Sequence, residues 1–294
     1  MTRPAGRDVT RDISYAPSAR SRGGRALIRA VENATGRLSL IRRADGYDRE
    51  VAQGRSFWEV IAGRYGLTLV VTRGSLSAIP ANGPLVVIAN HPYGILDGLM
   101  MGLILDRVRG DFRILANSVF RKAEALDRVI LPVDFDAGRE AQRRNLDTRA
   151  LALDYLAQGG AVGVFPGGTV STAARPFGLP LDPSWRNFTA KMVDRSGAAV
   201  VPLFFEGHNS RLFQIASHLH MNLRLALLIK EFRSRVDTPV RVAIGEPIPA
   251  SRLAPHRGDA TRMMDFLRRA TYDLAPSPLG RAGLGLEFEA KYRA

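Results

Sequence analysis

Three short runs constrain the fold most strongly: Leu85-Val86-Val87-Ile88-Ala89, Ala161-Val162-Gly163-Val164-Phe165 and Ala199-Val200-Val201-Pro202-Leu203-Phe204-Phe205. None alternates polar with apolar residues, so each reads as a strand buried in a core. Further strands are expected at 67–72, 112–116, 129–133 and 240–244. Apolar spacing predicts helices at 26–41, 56–65, 96–108, 119–126, 138–157, 183–196, 210–235 and 261–274. The helix over 138–157 is read as burying Leu146, Ala150, Leu153 and Leu156, and Gly159-Gly160 as ending it. Strands alternating with helices predict an α/β fold: a largely parallel central sheet flanked by helices, with an N-terminal helical segment.

The chain divides into a disordered basic tail over 1–24, a helical segment over 25–66, a main domain over 67–275 and a loose tail over 276–294. The helical segment is expected to pack on the core or dock on lipid. A hydrophobic fraction of 46% is enough for a core that needs no covalent staple. The absence of cysteine excludes disulfides, thiolate zinc sites and cysteine nucleophiles. The net charge is +14, and apart from Lys122, Lys191, Lys230 and Lys291 the basic residues are arginines. Such a charge attracts polyanions. With no nucleic-acid-binding signature beside it, the expected partner is an anionic membrane surface or an acidic carrier, not nucleic acid. The N-terminus has no apolar signal core, and no uncharged stretch reaches the roughly 18 residues needed to span a bilayer. The expectation is a soluble or peripheral protein on the cytoplasmic, inner face of the cell membrane.

The run 85–89 leads directly into Asn90-His91-Pro92-Tyr93-Gly94-Ile95-Leu96-Asp97-Gly98. A histidine at the end of a buried strand, followed by a carboxylate, can form a base–orienter pair. The carboxylate faces one ring nitrogen and leaves the other to take a proton. In a regular helix the two side chains at this spacing would lie about 240° apart. A non-helical turn at Pro92-Tyr93-Gly94 is what would bring His91 and Asp97 together. A second candidate block is Phe165-Pro166-Gly167-Gly168-Thr169-Val170-Ser171, where backbone N–H groups after a strand can cradle a phosphate or an oxyanion. Ile130-Leu131-Pro132-Val133-Asp134-Phe135 and Val201-Pro202-Leu203-Phe204-Phe205-Glu206-Gly207 are two further strand-to-turn blocks.

The order and spacing of these blocks resemble those of the lysophospholipid (glycerolipid) acyltransferase family over roughly residues 67–250. Asn90-His91 through Asp97 resembles its first motif, Leu131-Pro132-Val133-Asp134 its second, Phe165-Pro166-x-Gly168-Thr169 its third and Val201-Pro202 its fourth. The resemblance implies transfer of a fatty acyl group from an acyl-coenzyme A or acyl-carrier-protein thioester to a lysolipid hydroxyl. His91 would be the general base and Asp97 its orienting partner, with no resident cofactor or metal. Phe165, Pro166, Gly167, Gly168, Thr169 and Ser171 would line the substrate site, and Arg139 and Arg175 would be cations available to the acceptor.

Three departures shape the expected acceptor. Five residues separate His91 from Asp97, where the usual motif has four; the longer spacing is similar to that of a hemolysin-like, ornithine-lipid acyltransferase branch. Gly167 and Val170 stand where the third motif usually has glutamate and arginine, and Phe135 stands where the second usually ends in arginine. Those arginines are associated in the family with the acceptor's phosphate, and neither valine nor phenylalanine replaces a guanidinium. A lyso-aminolipid, such as a hydroxyacyl amino acid, is therefore expected in place of lysophosphatidic acid, although Arg121, Lys122, Arg128, Arg139 or Arg175 could still supply a phosphate contact. The alternatives are a non-catalytic lipid-binding relative and a hydrolase that uses water as acceptor. His218 and His220 lack metal-ligand spacing to a carboxylate or cysteine. The 210–235 segment is read as one amphipathic helix that packs on the core or touches lipid.

Overall fold

The computed structural model describes residues 14–19, 21–117, 124–133, 138–277, 279 and 283–288. Helices α1 (Arg22–Thr35), α2 (Arg37–Ala44), α3 (Tyr47–Ala52) and α4 (Phe57–Arg64) precede strand β1 (Thr68–Arg73) and β2 (Leu85–Ala89). There follow α5 (Ile95–Arg109), β3 (Arg113–Asn117), α6 (Glu124–Asp127), β4 (Ile130–Val133), α7 (Arg139–Ala157) and β5 (Ala161–Val164). A small hairpin, β6 (Thr172–Ala173) with β7 (Pro180–Leu181), leads to α8 (Phe188–Ser196) and β8 (Ala199–Phe205). The remaining elements are α9 (Arg211–Leu219), α10 (Met221–Arg233), β9 (Pro239–Ile244), α11 (Ala250–Leu253) and α12 (Ala260–Tyr272).

Seven strands form one sheet in the order β1-β9-β8-β2-β5-β3-β4. All neighbours run parallel except β8 and β9, which are antiparallel. The apolar runs form its centre because a parallel strand has both faces covered. Along β2, Leu85, Val87 and Ala89 point into one core and Val86 and Ile88 into the other. β8 divides the same way, with Val201, Leu203 and Phe205 on the first face and Val200 and Phe204 on the second. This is the period-two alternation of a strand, with apolar side chains at both phases. Helices α2 to α5 and α10 cover the first face; α7, α8 and α12 cover the second.

The N-terminal helices belong to the main core: Leu40, Tyr47, Trp58, Ile61 and Tyr65 are all buried within it. Trp58 packs so closely on α5 that a Cβ added at Gly102 would lie 2.1 Å from its ring. Of the segment expected as a tail, residues 14–19 pack on α1, where Ser14 Oγ and Tyr15 N donate to the buried Glu32 carboxylate at 2.5 and 2.6 Å. Residues 1–13 lie outside the described residues. In the C-terminal segment, Gly285 N donates to Asp182 O and Leu286 N to Thr172 O, which lays 283–288 along the hairpin.

Several expected elements divide or rotate. The helix over 26–41 is two helices, because Gly36 takes φ +129° between them. The helix over 210–235 is also two: His220 is extended and its Nδ1 accepts from Asn222 N at 3.0 Å, starting α10 afresh. On α7, Leu146 is 60% exposed and Ala150 is exposed, whereas Ala141, Thr148, Ala152 and Leu156 are buried. Small side chains let this face lie close to the sheet, and Thr148 Oγ1 donates to Pro132 O at 2.7 Å, which fixes the rotation. The helix expected over 119–126 is described only at 124–127.

Candidate active site at the C-terminal edge of the sheet

The central strands β2, β5 and β8 end side by side, and the candidate residues follow those ends. Asn90 extends β2 by one side chain: its Nδ2 donates to Phe205 O at 2.9 Å and its Oδ1 accepts from Phe205 N at 2.7 Å. The amide thus imitates a ladder residue and locks the exit of β2 to β8. His91 follows, held by its own backbone. Its N–H donates to Asp182 Oδ1 at 3.1 Å and its carbonyl accepts from Ser171 N at 2.7 Å.

The chain then turns without helical geometry. Gly94 adopts φ +90° and ψ −112°, a conformation that L side chains rarely take. The turn brings Asp97, fully buried in the first turn of α5, back to His91, and Nδ1 of the histidine lies 3.0 Å from Asp97 Oδ2. At this distance the two atoms are within hydrogen-bond reach. The same Oδ2 accepts from Tyr93 N at 2.8 Å and Gly94 N at 2.9 Å, so the carboxylate both caps the helix and faces the imidazole. Burial pushes the Asp97 carboxyl above its ordinary range, opposed by His91 and by these two N–H groups. On one side the imidazole stacks against Phe165, with ring centres 4.2 Å apart.

His91 opens onto a cavity of about 1700 Å³ that runs past the end of the sheet. Its lining divides by element. Tyr47, Trp58, Ile61 and Leu99, from α3, α4 and α5, make an apolar side. Arg149, Lys191, Arg268 and Arg269, from α7, α8 and α12, make a basic one.

Phe165, Pro166, Gly168 and Thr169 line this cavity beside His91. Gly168 N donates to Phe165 O at 3.0 Å, whereas the N–H groups of Gly167 and Thr169 have no such bond among the described residues. Of these two residues only Thr169 lines the cavity. Gly167 sits against Asp182. Ser171 is buried and donates its hydroxyl to Asp182, behind the cavity wall. Arg139 and Arg175 are exposed and do not line the cavity. Arg128 is exposed too, and Arg121, Lys122, Asp134 and Phe135 lie outside the described residues.

Two residues that the sequence reading passed over organise the site. Asp182, fully buried, accepts from His91 N, Ser171 Oγ and Trp185 Nε1, and so ties the histidine to the third-motif loop. Arg224, 2% exposed on α10, binds that loop from the other side. Its Nη1 donates to Thr172 Oγ1 and Ser217 Oγ, and its Nη2 to Thr169 Oγ1 and Val170 O. One signal for Arg224 was readable: it shares a helical stripe with the buried Leu228 and Phe232, where another apolar residue would be expected. No local pattern marked Asp182. Among the leftover histidines, His218 Nε2 bonds Ala173 O and His220 caps α10, and no cluster of three metal-ligating side chains occurs among the described residues.

A histidine–carboxylate pair at the carboxyl edge of an α/β sheet, beside a Gly-Gly turn and a deep, partly apolar cavity, is an arrangement that can set a base beside an apolar ligand. The chain matches the family described as Acyltransferase over residues 47–279, and it belongs to that family. It is 27% identical over 182 residues to a lyso-glycine lipid O-acyltransferase of Phocaeicola vulgatus, covering 59% of this chain and 62% of that one. A protein of the same description from Bacteroides thetaiotaomicron is 27% identical over 180 residues, covering 58% and 63%. The chain thus aligns with less than two thirds of the length of these relatives. The crystal structure of the 1-acyl-sn-glycerophosphate acyltransferase PlsC from Thermotoga maritima aligns with a TM-score of 0.46 at 17% identity, covering 88% of this chain and 85% of that one.

Proposed function

We propose that this protein is an O-acyltransferase that moves a fatty acyl group from an acyl-coenzyme A or acyl-carrier-protein thioester to the hydroxyl of a lysolipid. The observation that carries the reading is the buried Asp97 carboxylate 3.0 Å from His91 Nδ1, at the wall of a cavity large enough for a lipid chain. Asp97 holds the proton on Nδ1 and leaves Nε2 as the base. Nε2 takes the hydroxyl proton as the oxygen attacks the thioester carbon. The oxyanion that forms meets the Thr169 N–H. Collapse breaks the C–S bond, and the departing thiolate takes the proton back from the imidazolium. No covalent acyl-enzyme is needed.

The acceptor in this reading is a lyso-aminolipid. Val170 is buried against Phe213 and Leu228, so position 170 offers no group for a phosphate. The relatives named for lyso-glycine lipid favour the same class. The lipid would be met at an anionic membrane surface on the cytoplasmic side. Phe177, Leu179, Leu212, Leu219, Met221 and Leu284 are exposed, and Met221 and Leu284 also line the cavity. Arg175 is exposed on the Phe177 loop, and Arg211, at the start of α9, donates to Gly178 O in that loop. Apolar tips flanked by arginines suit entry into an anionic lipid surface. No helix among the described residues is long and apolar enough to cross a membrane.

The test is acyl transfer by the purified protein from both thioester carriers, with a hydroxyacyl amino acid and lysophosphatidic acid side by side. Preference for the phosphate acceptor defeats the aminolipid reading. Absence of transfer to any acceptor, with lipid binding retained, defeats the enzyme reading in favour of a lipid binder.

A further inference from the structure

Arg224 carries a buried positive charge with no negative partner among the described residues. No carboxylate lies within ion-pair distance of it among the described residues, and its four hydrogen bonds all go to neutral oxygens. Its guanidinium carbon lies 4.9 Å from the Phe213 ring centre and 4.2 Å from that of Phe288, so aromatic faces replace water around it. Burial lowers its pKa to about 9, which still leaves it charged at neutral pH. A charge held this way is unfavourable unless a counter-charge arrives from elsewhere.

The place from which it could arrive is specific. Arg224 and Thr169 both line the cavity that holds His91. Of the three hydroxyls among the four acceptors on Arg224, those of Thr172 and Ser217 already donate to Val170 O and Phe213 O, so the Thr169 hydroxyl is the one that can turn and donate to an incoming anion. Nε has no bond among the described residues, and Nη2 reaches Thr169 Oγ1, the acceptor on the cavity wall. The Nε and Nη2 edge of a guanidinium matches a carboxylate in two parallel hydrogen bonds. An amino acid N-acylated by a hydroxy fatty acid keeps one free carboxylate, near the chain whose hydroxyl is to be acylated.

We propose that Arg224 is the receptor for the acceptor's carboxylate, supplying from α10 the guanidinium that position 170 does not carry. This rests on the lysolipid acyltransferase reading above. The carboxylate displaces the Thr169 hydroxyl from the guanidinium edge, and the acceptor hydroxyl then lies toward His91. Arg224 in this role selects the acceptor and takes no part in proton transfer.

The experiment compares Arg224→Gln and Arg224→Lys with wild type on two acceptors, a hydroxyacyl-glycine and its neutral methylamide. Wild type should favour the acid. Losing a charge-assisted pair should raise KM for the acid about 10- to 100-fold more than KM for the amide in Arg224→Gln, beyond the loss that slackening the loop imposes on both acceptors. Arg224→Lys, which keeps the charge without the paired donors, should fall between. Equal loss on both acceptors would overturn the proposal and make Arg224 only a brace for the loop. A second arm does not depend on the variants folding or on turnover: binding to wild type of an acyl-glycine that lacks the hydroxyl, against its methylamide. At least tenfold tighter binding of the acid supports the carboxylate site even if no acyl transfer is found, and equal binding overturns it.

Discussion

Asp97→Asn tests the core of the site because it removes the charge and keeps the shape. Two unit charges 3.0 Å apart interact by about 5.5 kcal/mol at an effective dielectric constant of about 20. At about 1.4 kcal/mol per tenfold in rate, this caps the loss at about 10⁴ in kcat. The imidazolium exists only while the proton is in transit, so the charge acts on the transition state and not on bound substrate. The expected outcome is a fall in kcat of about 10²- to 10⁴-fold with KM within about threefold. The fold should survive. An asparagine oxygen can still accept from Tyr93 N and Gly94 N, while the amide NH₂ takes the place of Oδ1, which has no partner among the described residues. One unsatisfied buried donor costs about 1–3 kcal/mol, and each kcal/mol lowers Tm by about 2–4 °C in a protein somewhat smaller than this one. The assay is release of free thiol from acyl-coenzyme A, read with a thiol-reactive chromophore; the chain has no cysteine of its own to interfere. A variant with kcat within threefold of wild type would refute the orienting role of Asp97.

Other perturbations reach separate parts of the argument. Gly102→Ala drives a methyl group into the Trp58 ring, so it should destabilise the α4–α5 contact by about 1–3 kcal/mol, measured by chemical denaturation; an unchanged midpoint would contradict the packing of the N-terminal helices. Trp185→Phe removes the donor to Asp182 Oδ2 and should cost about 1–3 kcal/mol, with a fall in kcat as the His91 backbone loosens; full activity at unchanged stability would show that Asp182 does not position the histidine. Phe177→Ser with Leu179→Ser should weaken sedimentation with anionic vesicles at least several-fold while leaving transfer to detergent-dispersed acceptor intact, because both side chains are exposed and neither lines the large cavity. Vesicle binding by wild type should also fall as salt rises from low to physiological, since exposed arginines are screened within a Debye length of about 8 Å; salt-independent binding would remove the electrostatic part of the docking.

Local sequence determined a good deal of this protein. The runs 85–89 and 199–205 coincide with β2 and β8 because strands covered on both faces must be apolar at both phases, and the chain shows that directly. The His91 and Asp97 pairing was legible as a possibility, since Pro92 and Gly94 forbid the regular helix that would have separated them. Helix phase and continuity were less legible. Leu146 and Ala150 satisfied the apolar period on α7, yet the sheet contacts the face with Ala141, Thr148 and Ala152, where small size matters more than hydrophobicity. His220 reads as an ordinary helical residue until its ring caps the next helix.

Tertiary structure alone decided what surrounds the histidine. Asp182 reaches His91 across 91 residues of sequence, and Arg224 reaches Thr169 across 55. No periodicity or motif encodes such distances. They arise because β2, β5 and β8 are neighbours in the sheet though far apart in the chain, and because α10 lies over the loop that follows β5. The sequence by itself fixed which residues could take or hold a proton; the fold determined that Ser171 faces away from the cavity, that Arg139 and Arg175 stay outside it, and that a buried guanidinium from α10 stands where the third motif has none.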